Sequence, residues 1–576
     1  MDSRTAAHVL TRIAAYLELK GESSFKVRAY EGAARSVRAL NSLDLAPLLQ
    51  SGELAQIRGL GPATLAVLRD LIETGESRYL EQLRQSTPEG LIELLDVPGL
   101  TPARIHGIYE TLNIRTIEDL EAAAKNGRLA TVPKLGPKTA ERILKGIAMV
   151  RARGSRRLYS QAAPEAARIL DAIRAHPDIE RAELSGDVRR RMETISTIDI
   201  VAACRADPVT VAQFFTRIAG VSATEGDGAA VSILFVDGTR LDLRCVEPSQ
   251  FGVAWWLATG SESHVDEVTG RLASNGVSVR DDTLVDASGR LVPAPDEDVV
   301  YRAAGLVFTP PELREGRGEV DAASRDALPN LITAADIQGV LHCHTLYSDG
   351  TTSVADIAKG ARERGWSYIG ITDHSQASGF AGGMSREKVL AQHEEIDALN
   401  TELTDIRVLK GVEADILADG QLDYGDELLD SFDFVIGSVH SRFSMDGPAM
   451  TDRILRAMDD PRLTILGHPT GRKLLSRESY ALDVEAVLQK AAEVGAAIEL
   501  NADPHRLDLD WRYLRRAKEL GVTIEIGPDA HSIGNLDYMN VGLGMARKGW
   551  LERSDVLNTR SVDDILGFAR ARRASH

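Results

Sequence analysis

Tyr368-Ile-Gly-Ile-Thr-Asp-His-Ser375 is the stretch that decides the fold. Four residues that read as a short apolar strand run straight into an acid and a histidine, and the arrangement recurs along the chain. Phe434-Val-Ile436 is followed by His440, Leu463-Thr-Ile-Leu466 by His468, and the pair Ala497-Ile-Glu-Leu500 and Thr523-Ile-Glu-Ile526 by Asp529 and His531. Helical patterns separate the strands. Repeated βα units of this kind build a parallel sheet or barrel, and such folds carry their active sites at the C-terminal ends of the strands.

Working outward, the potential ligands are His342 and His344 in Leu-His-Cys-His, Asp349 in Tyr-Ser-Asp-Gly, His374, Glu413 in Gly-Val-Glu-Ala, His440 in Gly-Ser-Val-His, His468 in Gly-His-Pro, and Asp529 with His531 in Asp-Ala-His-Ser. Side chains alternate along a strand, so His342 and His344 share one side while Cys343 points away. A lone histidine in such a place is ordinarily a hydrogen-bonded core residue. Six histidines and three carboxylates at successive strand ends exceed what one four-coordinate ion needs, whereas bridging carboxylates hold two or three ions about 3.5–4 Å apart. The expectation is a di- or trinuclear centre. Its mixed imidazole and carboxylate donors suit Mn, Zn or Fe better than Ca, and its chemistry suits hydrolysis of phosphate esters.

At 576 residues the chain is too long for one core, so several domains are expected. No run of about 18 apolar residues occurs and the start, MDSRTAAHVL, lacks an apolar secretory segment, so the reading is a cytoplasmic chain without a membrane partner. Cys204, Cys245 and Cys343 are too few for a disulfide framework. The net charge of −18 counts at first against nucleic acid, which needs Lys and Arg for its phosphates. Residues 1–150 are close to charge balance, however, and the acidity concentrates beyond 321, where carboxylate ligands sit.

Residues 1–40 read as two amphipathic helices, with Val9, Leu10, Ile13, Ala14 and Leu17 at helical spacing. Three similar segments follow, each between helical patterns: Ile57-Arg-Gly-Leu-Gly-Pro62, Val97-Pro-Gly-Leu-Thr-Pro102 and Val132-Pro-Lys-Leu-Gly-Pro137. Gly59, Gly61, Gly99 and Gly136 let backbone approach closely, and amides at a helix start can hold a phosphate without reading bases. Lys134 and Lys138 flank the third segment. From about 155 strands appear, as in Thr197-Ile-Asp-Ile-Val-Ala202, Val231-Ser-Ile-Leu-Phe-Val236 and Arg240-Leu-Asp-Leu-Arg244, giving an α+β region. A Pro-, Asp-, Glu- and Gly-rich stretch from Ala294 to Arg317, continued by a polar segment to Ile337, reads as a linker.

The segment from about 338 to 570 resembles a polymerase and histidinol phosphatase (PHP) domain, whose members are distorted (β/α)7 barrels that hydrolyse phosphate esters with up to three metals, and all nine ligands match that family's positions. The three Gly-containing segments resemble helix-hairpin-helix elements. Residues 1–320 as a whole resemble a bacterial family X DNA polymerase, and Pro310-Pro-Glu-Leu-Arg-Glu-Gly-Arg-Gly318 is similar to that family's junction to its PHP domain. The resemblance implies an all-α helical DNA-binding domain at 1–85, helix-hairpin-helix fingers at 86–150, a nucleotidyltransferase-like palm and thumb at 151–320, a linker at 321–336 and the PHP domain at 337–576. It further implies sequence-independent binding of gapped or single-stranded DNA or of 3′ ends.

Within the palm, Ser185-Gly-Asp-Val-Arg-Arg190 and Glu193-Thr-Ile-Ser-Thr-Ile-Asp199 are similar to the family's catalytic region. Asp199 and Asp242 match the second and third aspartates of its two-Mg site; Gly186, Arg189, Arg190, Gly260 and Ser261 fall at nucleotide and phosphate positions. Thr197 stands where the first aspartate belongs, and a hydroxyl cannot offset the repulsion of two Mg ions as a bridging carboxylate does. Asp187 replaces a phosphate-binding serine and Ala258 a sugar-packing aromatic. Animal relatives open abasic sites through a lysine at the position of Val67, and valine cannot form an imine. Three readings follow: a repair nuclease, 3′→5′, on a degenerate polymerase scaffold; an active gap-filling polymerase with proofreading; or a small-molecule phosphatase with an N-terminal interaction scaffold.

Overall fold

The structure, a computed structural model, describes residues 1–40, 44–88, 90–133 and 135–574. Lys134, one of the two lysines flanking the third hairpin, lies outside the described residues. Backbone contacts divide the chain into two compact units. One comprises Met1–Arg157, Pro164–Ser185 and Ser196–Ala254; the other comprises Leu158–Ala163, Gly186–Ile195 and Trp255–His576. The region 151–320 therefore contributes to both.

In the first unit, the expected pair of amphipathic helices spans Ser3–Leu19 and Ser24–Ala39, started by Asp2 and Ser23, whose side chains accept from backbone amides three residues on. Leu10, Ile13 and Leu17 are buried in one cluster with Val27, Tyr30 and Val37. The three repeats share one local structure. Each has a 3-10 turn (Glu53–Gln56, Leu94–Asp96, Arg128–Thr131) and then a helix opened by proline (Pro62–Thr74, Pro102–Leu112, Pro137–Arg153). Between them the amides of Leu60, Leu100 and Leu135 donate to the carbonyls of Ile57, Val97 and Val132 at 3.2, 3.1 and 3.1 Å. Leu54, Leu94 and Leu129 are the buried anchors. Proline opens all three helices because its missing N–H costs nothing in the first turn.

A five-stranded sheet completes this unit in the order Ile179–Leu184, Ile198–Cys204, Arg240–Val246, Ala230–Phe235, Val221–Glu225. Its central pair is parallel and sets Asp199 opposite Asp242.

The second unit ends in the barrel. Seven strands, Gly339–Val340, Tyr368–Ile371, Arg407–Asp415, Phe434–Ser438, Leu463–Leu466, Ala497–Asn501 and Ile524–Gly527, pair in parallel in sequence order. Residues just past the first and last strands bridge as well, Cys343 with Ala530, which nearly closes the barrel. These strands are buried on both faces, as continuous apolar runs require. Among the described residues no helix is long and apolar enough to cross a membrane.

The stretch read as a linker is packed. Glu297–Ala303 and Glu319–Ser324 are helical, and Ala322, Ala323 and Ile332 are buried. Arg314 is fully buried and donates to both oxygens of Glu297 at 2.6 and 3.1 Å; His264 Nδ1 lies 2.7 Å from Glu319 Oε1. Polar composition suggested a solvated connector, but these charges neutralise one another inside, which is how charged side chains come to be buried.

Candidate functional site

All nine residues cluster at the C-terminal ends of the barrel strands: seven of them line one pocket, and His342 and His344 lie fully buried beside Asp529. His342 and His344 follow the first strand, Glu413 lies in the third, and His440, His468 and Asp529 each stand two residues beyond a strand. His374 stands three residues beyond the second strand, Tyr368–Ile371. Three groups bring their ligand atoms within 4.8 Å of one another: His342, His344 and Asp529; His344, Asp349, His374 and His531; and His374, Glu413 and His440. His344 and His374 each belong to two groups. Glu413 stands between donor sets, with Oε1 at 2.9 Å from His468 Nε2 and 3.2 Å from His440 Nε2, and Oε2 at 2.9 Å from His374 Nδ1. Asp529 Oδ1 approaches His344 Nε2 at 3.2 Å, and Asp349 Oδ1 approaches His531 Nε2 at 3.3 Å.

Whether these residues suit a metal can be tested on their own hydrogen bonding. His342 Nε2 and both ring nitrogens of His344 are buried without a hydrogen-bond partner, and so are His374 Nδ1 and Glu413 Oε2, which lie 2.9 Å apart but are not aligned for a hydrogen bond to each other. Each such orphan costs about 1–3 kcal/mol, and native interiors hold few of them. Five in one place fit divalent cations, which satisfy lone pairs on imidazole and carboxylate alike. Protonation agrees. Burial first, then neighbouring His374, lowers His344 to about 4, and burial with Arg506 lowers His468 to about 3, so both are neutral donors. Burial works against charge on Glu413 and Asp529, but the surrounding histidines outweigh it and hold both well below the usual carboxylate range.

A second set of side chains aims these ligands, and sequence reading passed over it. Glu499 Oε1 lies 2.6 Å from His342 Nδ1, and Asp415 Oδ1 lies 2.6 Å from His440 Nδ1. Asn501 Nδ2 donates to Asp529 at 3.1 Å. Asp373 accepts from the Thr345 and Ser348 amides at 2.8 and 3.1 Å and so holds the loop leading to Asp349. Glu525 sits beside Glu499 in register, and burial, then Glu499, push it up to about 8, leaving it protonated at neutral pH. The available signal was a glutamate amid apolar residues in Ala497-Ile-Glu-Leu500 and Thr523-Ile-Glu-Ile526, since an acid inside a buried strand needs a reason. Glu499→Gln should lower metal affinity about 10- to 100-fold, because such partners fix the tautomer and orientation of a ligating imidazole. Competition against a calibrated chelator measures it, and unchanged affinity would remove Glu499 from this role.

The pocket has a volume of about 570 Å³, and besides the ligands it is lined by Phe380, Phe443, Lys473, Arg477, Arg506 and Tyr538. Arg506 Nε stands 3.5 Å from Asp529 Oδ2. Cations lining a carboxylate-rich pocket suit an anionic substrate.

The other sequence-predicted residues do not join this pocket. In the first unit, Thr197 and Asp242 line a separate cavity of about 180 Å³ with Glu225, Ser232 and Arg240, and Ser232 Oγ donates to Asp242 at 2.6 Å. Asp199 faces the same parallel register as Asp242. In the second unit, Gly186 has φ +56° and opens the short helix that carries Arg189. Arg189 gives two donors to Glu297 at 2.6 Å each and one to Thr259 at 2.8 Å, and lies 3.5 Å over the Trp255 ring. Arg190 is taken by Glu315 at 2.9 Å, by Asp187 and by the Thr259 carbonyl. Both were expected at phosphate positions, and both have their terminal guanidinium nitrogens engaged by protein oxygens. Ser261 caps the helix Glu262–Ser274, and Gly260 sits where a Cβ would meet Val265 and His264 at 2.9 and 3.0 Å.

At the hairpins, Gly59 and Gly99 adopt φ of +97° and +91°, which favours glycine. Gly61 and Gly136 stand immediately before their helices with open space where a Cβ would be, and Lys138 is exposed in the first turn after Gly136. Val67 is buried on its helix.

Comparison with known proteins agrees with this layout. The PHP domain family matches residues 341–526, a helix-hairpin-helix domain family matches residues 1–77, and a SAM-like helix-hairpin-helix tandem family matches residues 91–148. A relative described as DNA polymerase/3′-5′ exonuclease PolX, from Bacillus subtilis (strain 168), is 34% identical over 584 residues, spanning 99% of this chain and all of its own. A probable phosphatase of Syntrophotalea carbinolica is 34% identical over 166 residues, 28% of this chain and 64% of its own length. One of Clostridium acetobutylicum is 30% identical over 165 residues, 28% of this chain and 63% of its own.

Proposed function

This chain belongs to the bacterial family X DNA polymerases that carry a C-terminal PHP domain, and from that membership we propose that it is a DNA-repair nuclease, removing nucleotides 3′→5′ from single-stranded or gapped DNA at the barrel site. The observation that carries the reading is the clustering of nine histidine and carboxylate side chains, several with buried unpaired lone pairs, around one pocket that Lys473, Arg477 and Arg506 also line. His342, His344 and Asp529 would hold one ion, Asp349, His374 and His531 a second with His344, and Glu413, His440 and His468 a third. Two or three Mn, Zn or Fe ions supply hydroxide at neutral pH and positive charge for the phosphoryl oxygens. Glu413, from its place among His374, His440 and His468, would set a negative charge beside the ions and so lower their mutual repulsion. Lys473 and Arg506 draw the phosphodiester into the pocket, and burial of the histidines excludes competing water from their lone pairs. The hairpins hold the DNA backbone through amides at Gly61 and Gly136 and through Lys138, contacts that carry no sequence preference.

Mg at the palm would have Asp199 and Asp242 without the third carboxylate, and Arg189 and Arg190 are engaged by Glu297, Glu315 and Asp187 rather than free for a triphosphate. Extension of a primed gap with Mg or Mn and all four nucleotides is therefore expected to be slow or undetectable. Thr197→Asp should raise it, though not to full rate while the arginines stay engaged. Robust extension by the unaltered chain would favour an active polymerase with proofreading instead.

The test of the main reading is a nuclease assay across Mn, Zn, Fe and Mg with defined single-stranded, gapped and abasic substrates, run beside release of phosphate from small monoesters. Strand cleavage with little monoester turnover is expected. Rapid monoester turnover with intact strands would favour the phosphatase reading, which the similarity to probable phosphatases over the barrel keeps in view.

A further inference from the structure

Phe380 is 77% exposed at the mouth of the metal pocket, more than any other large apolar side chain described in the second unit. Its ring centroid lies 6.2 Å from that of His374 and 6.1 Å from that of His440, with the ring planes inclined at 56° and 69°, so the phenyl is not stacked on either imidazole. The turn that carries it, Gly379–Ala381, is pinned at several points. The Ala381 and Gly383 amides donate to the Ser378 carbonyl at 3.0 and 3.2 Å, the Met384 amide donates to the His374 carbonyl at 2.9 Å, and Lys388 Nζ donates to the Gly382 carbonyl at 3.3 Å. Ser378 Oγ donates at 2.7 Å to Asp415 Oδ1, the same oxygen that orients His440. One carboxylate thus fixes both a ligand and the platform beside it. A large apolar ring left in water on a well-anchored turn, lining the same pocket as His374 and His440 and about 6 Å from each, is placed to stack on a group attached to a phosphate bound there.

We propose that Phe380 receives the base of the nucleotide being removed and thereby selects an unpaired terminus. The inference rests on the nuclease reading and deepens it. Stacking on an aromatic face is indifferent to sequence, because every base has a π-face. A base within a duplex is already stacked and paired, and must leave both partners before it can reach the ring, so a paired end is disfavoured without any contact that reads its sequence. Lys473 and Arg506, lining the same pocket, meet the phosphates while Phe380 meets the base.

The experiment uses the full chain as unaltered protein, Phe380→Ala and Phe380→Trp, and compares cleavage of a single strand ending in an ordinary 3′ nucleotide with one ending in a 3′ abasic residue. The unaltered chain should prefer the ordinary end by roughly 5- to 150-fold in kcat/KM, the range that one stacked base supplies. Phe380→Ala should bring the two ends to near equality by losing rate on the ordinary end alone, with bound metal unchanged, and Phe380→Trp should keep the preference. Equal loss on both ends, or no loss on either, overturns the inference while leaving the nuclease reading standing. If the unaltered chain cleaves neither strand, it is the nuclease reading that fails. The stacking inference is then decided by fluorescence of a 3′-terminal 2-aminopurine: quenching by the unaltered chain but not by Phe380→Ala supports it, and equal emission overturns it.

Discussion

Glu413→Ala is expected to lose bound metal and strand cleavage together. Its carboxylate is buried, lies within 3.2 Å of three imidazoles, and has one oxygen without a hydrogen-bond partner. Ions lost with it would take away several kcal/mol of charge stabilisation at the phosphoryl group, about 3–5 kcal/mol corresponding to a rate loss on the order of 10²- to 10⁴-fold. The loss should exceed that from Glu499→Gln, because Glu499 acts through His342 whereas Glu413 would touch the ions themselves. Elemental analysis after dialysis, beside single-turnover cleavage, measures both quantities on one sample. An alanine variant that keeps its metal and loses only rate would make Glu413 a proton carrier rather than the residue that holds the ions together.

The second large effect concerns DNA binding, which should fall about 10³-fold or more between 50 and 200 mM salt if roughly six or more phosphates are contacted. The chain carries a net charge of −18, so it repels DNA as a whole and must bind through local groups. Those groups would be the hairpin amides together with Lys138 and the basic residues of the helical segments, contacts to phosphate that carry no sequence information. Two unrelated sequences should therefore show the same affinity and the same salt slope by fluorescence anisotropy. Gly59→Val and Gly99→Val should each weaken binding about tenfold, since forcing a β-branched residue to φ near +90° costs about 1–3 kcal/mol and displaces the amides that follow. A strong preference between the two sequences, or affinity that ignores salt, would detach the hairpins from this role.

The nine clustered side chains were legible in the sequence because candidates for metal ligation are restricted to histidine and carboxylate, and the barrel restricts them to strand ends. Tyr368–Ile371 and Leu463–Leu466 have the bounds read from their apolar runs. Arg407–Asp415 escaped notice, since Lys410, Glu413 and Asp415 interrupt the apolar run that marks the other strands, although the strand is buried for most of its length. The three hairpins were legible for a different reason: their Leu-Gly-Pro and Leu-Thr-Pro punctuation repeats. What could not be read were pairings between distant residues. Nothing near Arg189 and Arg190 reveals that Glu297 and Glu315, more than a hundred residues on, take their donors. The same holds for Arg314 with Glu297 and His264 with Glu319, whose pairing turns an apparent linker into packed structure. Glu499 looked like one more strand acid until its contact with His342, 157 residues away, gave it a purpose.

The measurement that bears most directly on where the chemistry resides is timed cleavage of an end-labelled single strand in Mn by three purified chains: unaltered, Glu413→Ala and Asp242→Ala. Asp242 lines a cavity separate from the metal pocket, so its removal should leave the rate largely intact while Glu413→Ala abolishes it. If Asp242→Ala stops cleavage and Glu413→Ala keeps both metal and rate, the phosphodiester is cut in the palm and not in the barrel.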